Sequence, residues 1–203
     1  MKHLIQKQLA QSIATLQAVL DDENISDTLV SIARLTAGAM QSGHKLLVAG
    51  NGGSAADAQH LVAEFVVRLT VNRPALRAIA LTTDTSILTA TGNDYGYDHL
   101  FSRQIEALAQ PGDVFLAIST SGNSKNIVKA IHQAKIVGIP TIGFSGAGGG
   151  LMLPLCDYII VIPSNITQNI QEAHLALEHI FCMLVEHFAF GHDLDNKPQI
   201  LSE

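Results

Sequence analysis

Short, almost wholly apolar runs at 46–50, 76–81, 113–119, 140–144 and 158–163 alternate with helical patterns at 54–69, 124–137 and 167–190, and shorter helices fill the interval up to about 109. A strand apolar on both sides needs cover on both sides, and segments of ten or more residues are long enough to be crossover helices between parallel strands. The expected fold is therefore α/β: a three-layer α/β/α sandwich around a five-stranded parallel sheet. Two helices, over 3–20 and about 27–42, precede the first strand. Leu4, Ile5, Leu9, Ile13, Leu16 and Leu20 recur at helical spacing in the first, and Ser42-Gly43 stops the second. A chain of 203 residues with no sharp change in composition reads as one domain. Its parts are N-terminal helices over 1–42, a core over 43–190 and a tail over 191–203.

Charge and composition narrow the partners. The net charge is −6 and the 12 Lys and Arg residues are scattered, so there is no basic footprint for nucleic acid. The first turns carry too many polar residues for a signal peptide, and no run approaches membrane-spanning length. Cys156 and Cys182 are too few for a disulfide framework and suit a reducing compartment. A soluble cytoplasmic protein without nucleic-acid or membrane partners is expected. His3, His44, His132, His187 and His192 read as surface positions.

Two loops carry the chemistry. Ile118-Ser-Thr-Ser-Gly-Asn-Ser124 joins the third apolar run to a helix, bringing the hydroxyls of Ser119, Thr120, Ser121 and Ser124 to a helix N-terminus. Free N–H groups and the helix dipole favour an anion there, and phosphate fits; Ser124 alone also reads as an ordinary N-cap. The second loop, Gly50-Asn-Gly-Gly-Ser-Ala55, follows the first run and opens the next helix, and its glycines let backbone approach a ligand closely. It also matches the dinucleotide fingerprint G-x-G-x-x-A. Against that reading, Leu81 is followed by Thr82 and Thr83 rather than an acidic residue, and two helices precede the motif.

His60 and Glu64 lie four residues apart on the helix after the glycine loop, about 40° apart around its axis. Gln171 and His179, eight residues apart on the last helix, return to within about 80° of each other. Imidazoles, a carboxylate and an amide oxygen make a mixed N and O set compatible with Zn²⁺, although an amide is an unusual zinc ligand. A histidine and a glutamate at this spacing also serve commonly as a plain surface pair.

Together these segments resemble the sugar isomerase (SIS) family and, within it, the phosphoheptose isomerases. The resemblance is carried by residues 50–60, Ala63-Glu64, Asn72-Arg-Pro74, Gly92-Asn-Asp-Tyr-Gly96, Phe101-Ser-Arg-Gln104, Gly112-Asp113, residues 118–124 and Ile170-Gln-Glu-Ala-His174. It implies a flavodoxin-like sheet and conversion of sedoheptulose 7-phosphate to D-glycero-D-manno-heptose 7-phosphate, the first step toward the ADP-heptose of lipopolysaccharide core. Ser119, Thr120, Ser121 and Ser124 would hold the phosphate. Asn51, Gly52, Gly53, Ser54, Arg68, Asn93, Asp94 and Gln171 would complete the substrate site. One Zn²⁺ per subunit would be held by His60, Glu64, Gln171 and His179, and Glu64 and His179 would move the proton through an enediolate. A group that gives its lone pair to zinc is a weaker base, so ligation and proton transfer either alternate or fall to one residue. The resemblance further implies a homotetramer with active sites at subunit interfaces. Val67 stands where the family commonly has glycine, and Asn169 where it often has arginine.

Two other readings keep the same fold: a non-catalytic SIS protein that binds a replication initiator, and a sugar-phosphate sensor. The first lacks a complete set of proton carriers and metal ligands, whereas His60, Glu64 and His179 are all present here. The second normally carries a DNA-binding segment, and the leading helices lack a basic recognition helix.

Overall fold

The structure, a computed structural model, describes residues 1–191, so the expected tail beyond Gly191 and the surface assignment of His192 lie outside the described residues. Helices α1 (Lys2–Leu20) and α2 (Glu23–Gln41) lead into β1 (Leu46–Ala49), α3 (Gly53–Val66) and β2 (Ala78–Ala80). Next come α4 (Thr85–Asp94), a 3-10 turn at Tyr97–His99, α5 (Ser102–Leu108), β3 (Val114–Ser119) and α6 (Lys125–Val137). The chain continues through β4 (Thr141–Gly146), a second 3-10 turn, β5 (Tyr158–Ile162) and α7 (Thr167–Phe190).

All strand pairs are parallel, in the order β2-β1-β3-β4-β5. Alternation along the strands sends Leu46, Val48, Leu116 and Ile118 to one face, packed by α2, α3 and α7. Leu47, Ala49, Phe115 and Ala117 face the other way, onto α5 and α6. The three expected layers are thus present, and the central β1, β3 and β4 are buried along their whole length.

Three local expectations change. The second apolar run pairs over only three residues and leaves Ile79 37% exposed, because β2 is an edge strand covered incompletely. Helix α2 starts at Glu23 rather than near 27, since the Asp22 carboxylate accepts from the Asn24 N–H and caps it. His44 and His187 are only half-exposed; the His44 ring lies over Gly112 and 4.0 Å from Asp113, and the His187 ring meets that of Phe188 at 5.2 Å.

Among the described residues α7 is the one helix long and apolar enough to cross a membrane, a length the reading of apolar runs missed because polar residues interrupt it. Its apolarity is accounted for by the core, where Ile170, Ala173, Leu177, Phe181, Cys182 and Val185 are buried.

His174 is buried on the same helix, with its ring 5.7 Å from that of Phe144 and its Nε2 donating to the Ser145 carbonyl at 3.1 Å. Burial lowers its pKa from 6.5 to about 4, with the carbonyl opposing in part. The unfolded chain therefore takes up a proton near pH 6.5 that the folded ring refuses. Stability from this group is complete above that pH and is lost as pH falls toward 4. The parent should lose about 2 kcal/mol relative to a His174→Leu variant between pH 7 and pH 5. Urea unfolding at both pH values checks this, and parallel pH profiles would remove the assignment.

Candidate active site

The sheet order has one reversal. From β1 the chain crosses to β2 on one side and then to β3 on the other, so connections diverge beyond the carboxyl ends of β1 and β3. Such switch points open a crevice where ligands bind. The glycine loop leaves β1 and the serine loop leaves β3, so sequence segments about seventy residues apart face one crevice by topology.

In the serine loop, Gly122 takes φ +65°, and its N–H bonds back to the Ser119 carbonyl. A side chain there would strike the Gly149 carbonyl, so the tight turn requires glycine. Ser119 and Ser124 hydroxyls lie 3.0 Å apart. Ser121 Oγ accepts from the Asn123 N–H, and Thr120 is half-buried. Ser124 occupies the N-cap position of α6 without capping it through its side chain, which separates it from an ordinary N-cap. Its hydroxyl faces Ser119 instead.

The glycine loop meets the last helix. Gly53 opens α3, and a Cβ there would collide with the side-chain amide of Gln171 on α7. Glycine therefore admits Gln171 to the start of α3, while Ser54 beside it is buried. Asn51 bonds to Asn126 and to Tyr97, two residues sequence reasoning did not single out. Beside them a cavity of about 310 Å³ is lined by Gly50, Asn51, Gly52, Thr82, Thr89 and Tyr97, a size suited to a small ligand. Asp84, the acidic residue nearest the dinucleotide pattern, caps α4 by accepting from the Ile87 N–H.

Two and three turns further along α3 stand His60 and Glu64. Their side chains lie 3.5 Å apart, and His179 of α7 brings its Nε2 to 2.9 Å from that of His60. Ligand atoms of all three lie within 4.8 Å of one another. Two imidazole Nε2 atoms this close need a proton or a shared cation between them, because their lone pairs otherwise repel. A carboxylate oxygen beside them adds negative charge. The donor set therefore fits a zinc ion in kind and in convergence.

What fixes this meeting is the packing of α3 on α7. Phe65, next to Glu64, meets Phe181 edge to face at 5.7 Å. Arg73 binds the end of α3, donating to the carbonyls of Glu64 at 2.8 Å and Phe65 at 2.7 Å, and its Nε reaches Glu186 of α7 at 2.7 Å. A cation there satisfies last-turn carbonyls and opposes the helix dipole. Both partners are nearly buried, so losing one would strand the other's charge at a cost of about 3–5 kcal/mol.

Two further carboxyls, Asp57 and Glu178, neighbour the cluster residues in sequence and feel each other's charge. Glu178, which precedes His179, is fully buried, and burial together with Asp57 pushes its pKa up to about 8. Asp57, one turn before His60, is also raised by burial, with His60 opposing. Sequence reasoning did not single out this pair, although the buried positions of α7 recur every four residues and Glu178 falls on that stripe while Glu172 lies off it.

Other expected substrate residues are not drawn into this cluster by any side-chain bond. Arg68 is exposed beyond the end of α3, and Asn93 and Asp94 are exposed at the end of α4, bonded to each other at 2.7 Å.

A doubly wound parallel sheet with a hydroxyl-rich loop at its switch point and a His/Glu cluster between α3 and α7 fits a sugar-phosphate-binding α/β class, and residues 9–146 match the SIS domain family. Within it, the chain is 52% identical over 190 residues to the phosphoheptose isomerase of Aneurinibacillus thermoaerophilus, covering 94% of this chain and 96% of that one. It is 53% identical over 187 residues to phosphoheptose isomerase 2 of Campylobacter jejuni, covering 92% and 93%. The solved phosphoheptose isomerase of Neisseria gonorrhoeae superposes with a TM-score of 0.86 at 39% identity, covering 91% and 98%. The chain belongs to the phosphoheptose isomerase family and is a sugar phosphate isomerase.

Proposed function

We propose that this isomerase converts sedoheptulose 7-phosphate to D-glycero-D-manno-heptose 7-phosphate, feeding synthesis of the nucleotide-activated heptose of lipopolysaccharide core. The observation that carries the reading is the convergence of His60, Glu64 and His179 between α3 and α7, the same two helices that meet at the glycine loop through Gly53 and Gln171. Aldose–ketose exchange needs a proton removed from C1 and one returned to C2, with a hydroxyl proton passing between the two oxygens. A carboxylate and an imidazole side by side are suited to those transfers near neutral pH. Glu64 and His179 take these roles.

His60, Glu64, Gln171 and His179 would hold one zinc ion per subunit, which when bound supplies Lewis-acid stabilisation to the oxygens on C1 and C2. Ser119, Thr120, Ser121 and Ser124 hold the phosphate, supported by the uncapped start of α6. Asn51, Gly52, Gly53 and Ser54 line the path between the two ends. Arg68, Asn93 and Asp94 close on the substrate from the outer rim, in keeping with their exposure.

We assign the protein to the cytoplasm as a homotetramer. Residues 1–42 supply subunit contacts, supported by the exposure of Leu9 at 58%, Ile13 at 66% and Leu20 at 73%. A groove between α1, α2 and α7, lined by Leu16, Leu29, Ile180 and Leu184, continues that apolar face. The reading is tested by mixing pure protein with sedoheptulose 7-phosphate and following heptose 7-phosphate by NMR. Conversion is expected, and a silent spectrum would overturn it in favour of a binding role.

A further inference from the structure

The amides of Asn51 and Asn126 face each other as a doubly bonded pair. Asn51 Nδ2 donates to Asn126 Oδ1 at 2.9 Å, and Asn126 Nδ2 donates to Asn51 Oδ1 at 2.8 Å. Asn51 belongs to the glycine loop after β1, and Asn126, 2% exposed, lies in the first turn of α6 after the serine loop. The pair therefore bridges the crevice at the one place where the two loops diverge.

Two further bonds give the pair a direction. The Ile127 N–H donates to Asn126 Oδ1 at 2.9 Å, and the Tyr97 hydroxyl donates to Asn51 Oδ1 at 3.0 Å. Only an oxygen accepts a backbone N–H, so Ile127 sets which way Asn126 points, and Asn126 sets which way Asn51 points. Each amide oxygen accepts two bonds and has no lone pair left, while each NH₂ has one proton to spare. Asn51 can therefore donate one N–H to a substrate oxygen and cannot accept from a hydroxyl.

The same arrangement explains the uncapped α6. An N-cap serine ordinarily accepts from the third residue of its helix, here Ile127. Asn126 takes that N–H, which leaves the Ser124 hydroxyl to Ser119.

We propose that Asn126, assisted by Tyr97, is a positioning residue for the isomerisation: it aims the free N–H of Asn51 at the sugar and releases Ser124 for phosphate, coupling the two ends of the site. This rests on the isomerase reading above.

The test uses the full-length zinc-loaded protein with Asn126→Asp, Tyr97→Phe and the double variant. Asn126→Asp keeps the oxygen facing Ile127 and Asn51 Nδ2 but removes the donor to Asn51 Oδ1. Small misplacements of an orienting group cost catalysis steeply, so kcat for sedoheptulose 7-phosphate should fall about tenfold or more. The inhibition constant of inorganic phosphate should rise by clearly less than kcat falls, because Ser124 remains free and only the carboxylate added in the first turn of α6 opposes the anion. Tyr97→Phe should act in the same direction, and the double variant should lose less than the sum of the two.

A structural role alone would lower the melting temperature without separating kcat from phosphate binding. A kcat within about twofold of the parent in Asn126→Asp, equal losses of kcat and phosphate binding, or strict additivity would each overturn the proposal. The Asn51 side-chain NH₂ resonance, recorded without substrate, should move in both single variants. An unmoved resonance overturns the clamp even if the parent proves inactive on this sugar, and that inactivity would count against the isomerase reading alone.

Discussion

Replacing His179 by alanine should lower turnover of sedoheptulose 7-phosphate by about a thousandfold or more while leaving the fold intact, since proton transfer by a placed side chain contributes about 10²–10⁴ and the same nitrogen also belongs to the proposed metal set. The stability side follows from exposure. His179 is half-exposed and its ring contact is to His60, at 5.1 Å between centroids. The neighbours that hold α7 in place, Phe181 against Phe65 and Glu186 against Arg73, are untouched. With both proteins metal-free, unfolding free energy should change by less than about 1 kcal/mol. Steady-state kinetics beside a thermal melt decides it, and unchanged turnover in the variant would sink the mechanism.

Removing the metal should have an effect of similar size. Purified protein is expected to carry about one zinc per chain, and dialysis against a chelator should leave under about 1% of the activity, restored by stoichiometric zinc. The reason lies in the pair of imidazole nitrogens 2.9 Å apart with Glu64 beside them. Such a cluster costs repulsion when empty of any shared charge and gains when a cation enters. Binding to the folded state alone also raises stability, by about 4 kcal/mol at a thousandfold excess over Kd, so the melting temperature should fall on chelation. Elemental analysis finding a metal-free protein of full activity would refute the site.

Much of this was readable from residues in order. The alternation of apolar runs with helical segments gave the parallel sheet, because strands buried on both faces leave no polar alternation. Departures came at the margins, where β2 is shorter and more open than its apolar run implied. Hydrophobicity reports what a residue prefers, not whether an edge receives full cover. Helix α2 began early because one aspartate capped it, a signal present at Asp22 but weaker than the apolar period.

The site divides along the same line. Spacing within α3 was enough to put His60 and Glu64 on one face, since i and i+4 are neighbours in any helix. The strand-to-helix position of the two loops followed equally from local pattern. Only tertiary structure brought His179 across 119 residues to His60, lodged Gln171 against Gly53, and locked Asn51 to Asn126. It alone also buried Glu178 beside Asp57 and turned an ordinary carboxyl into one that keeps its proton to about pH 8. Local sequence fixes geometry over one or two helical turns, where the backbone period dictates who meets whom. Contacts between distant elements, and the desolvation that shifts a pKa, depend on how helices pack, and that is settled by the sum of many weak burials rather than by any one motif.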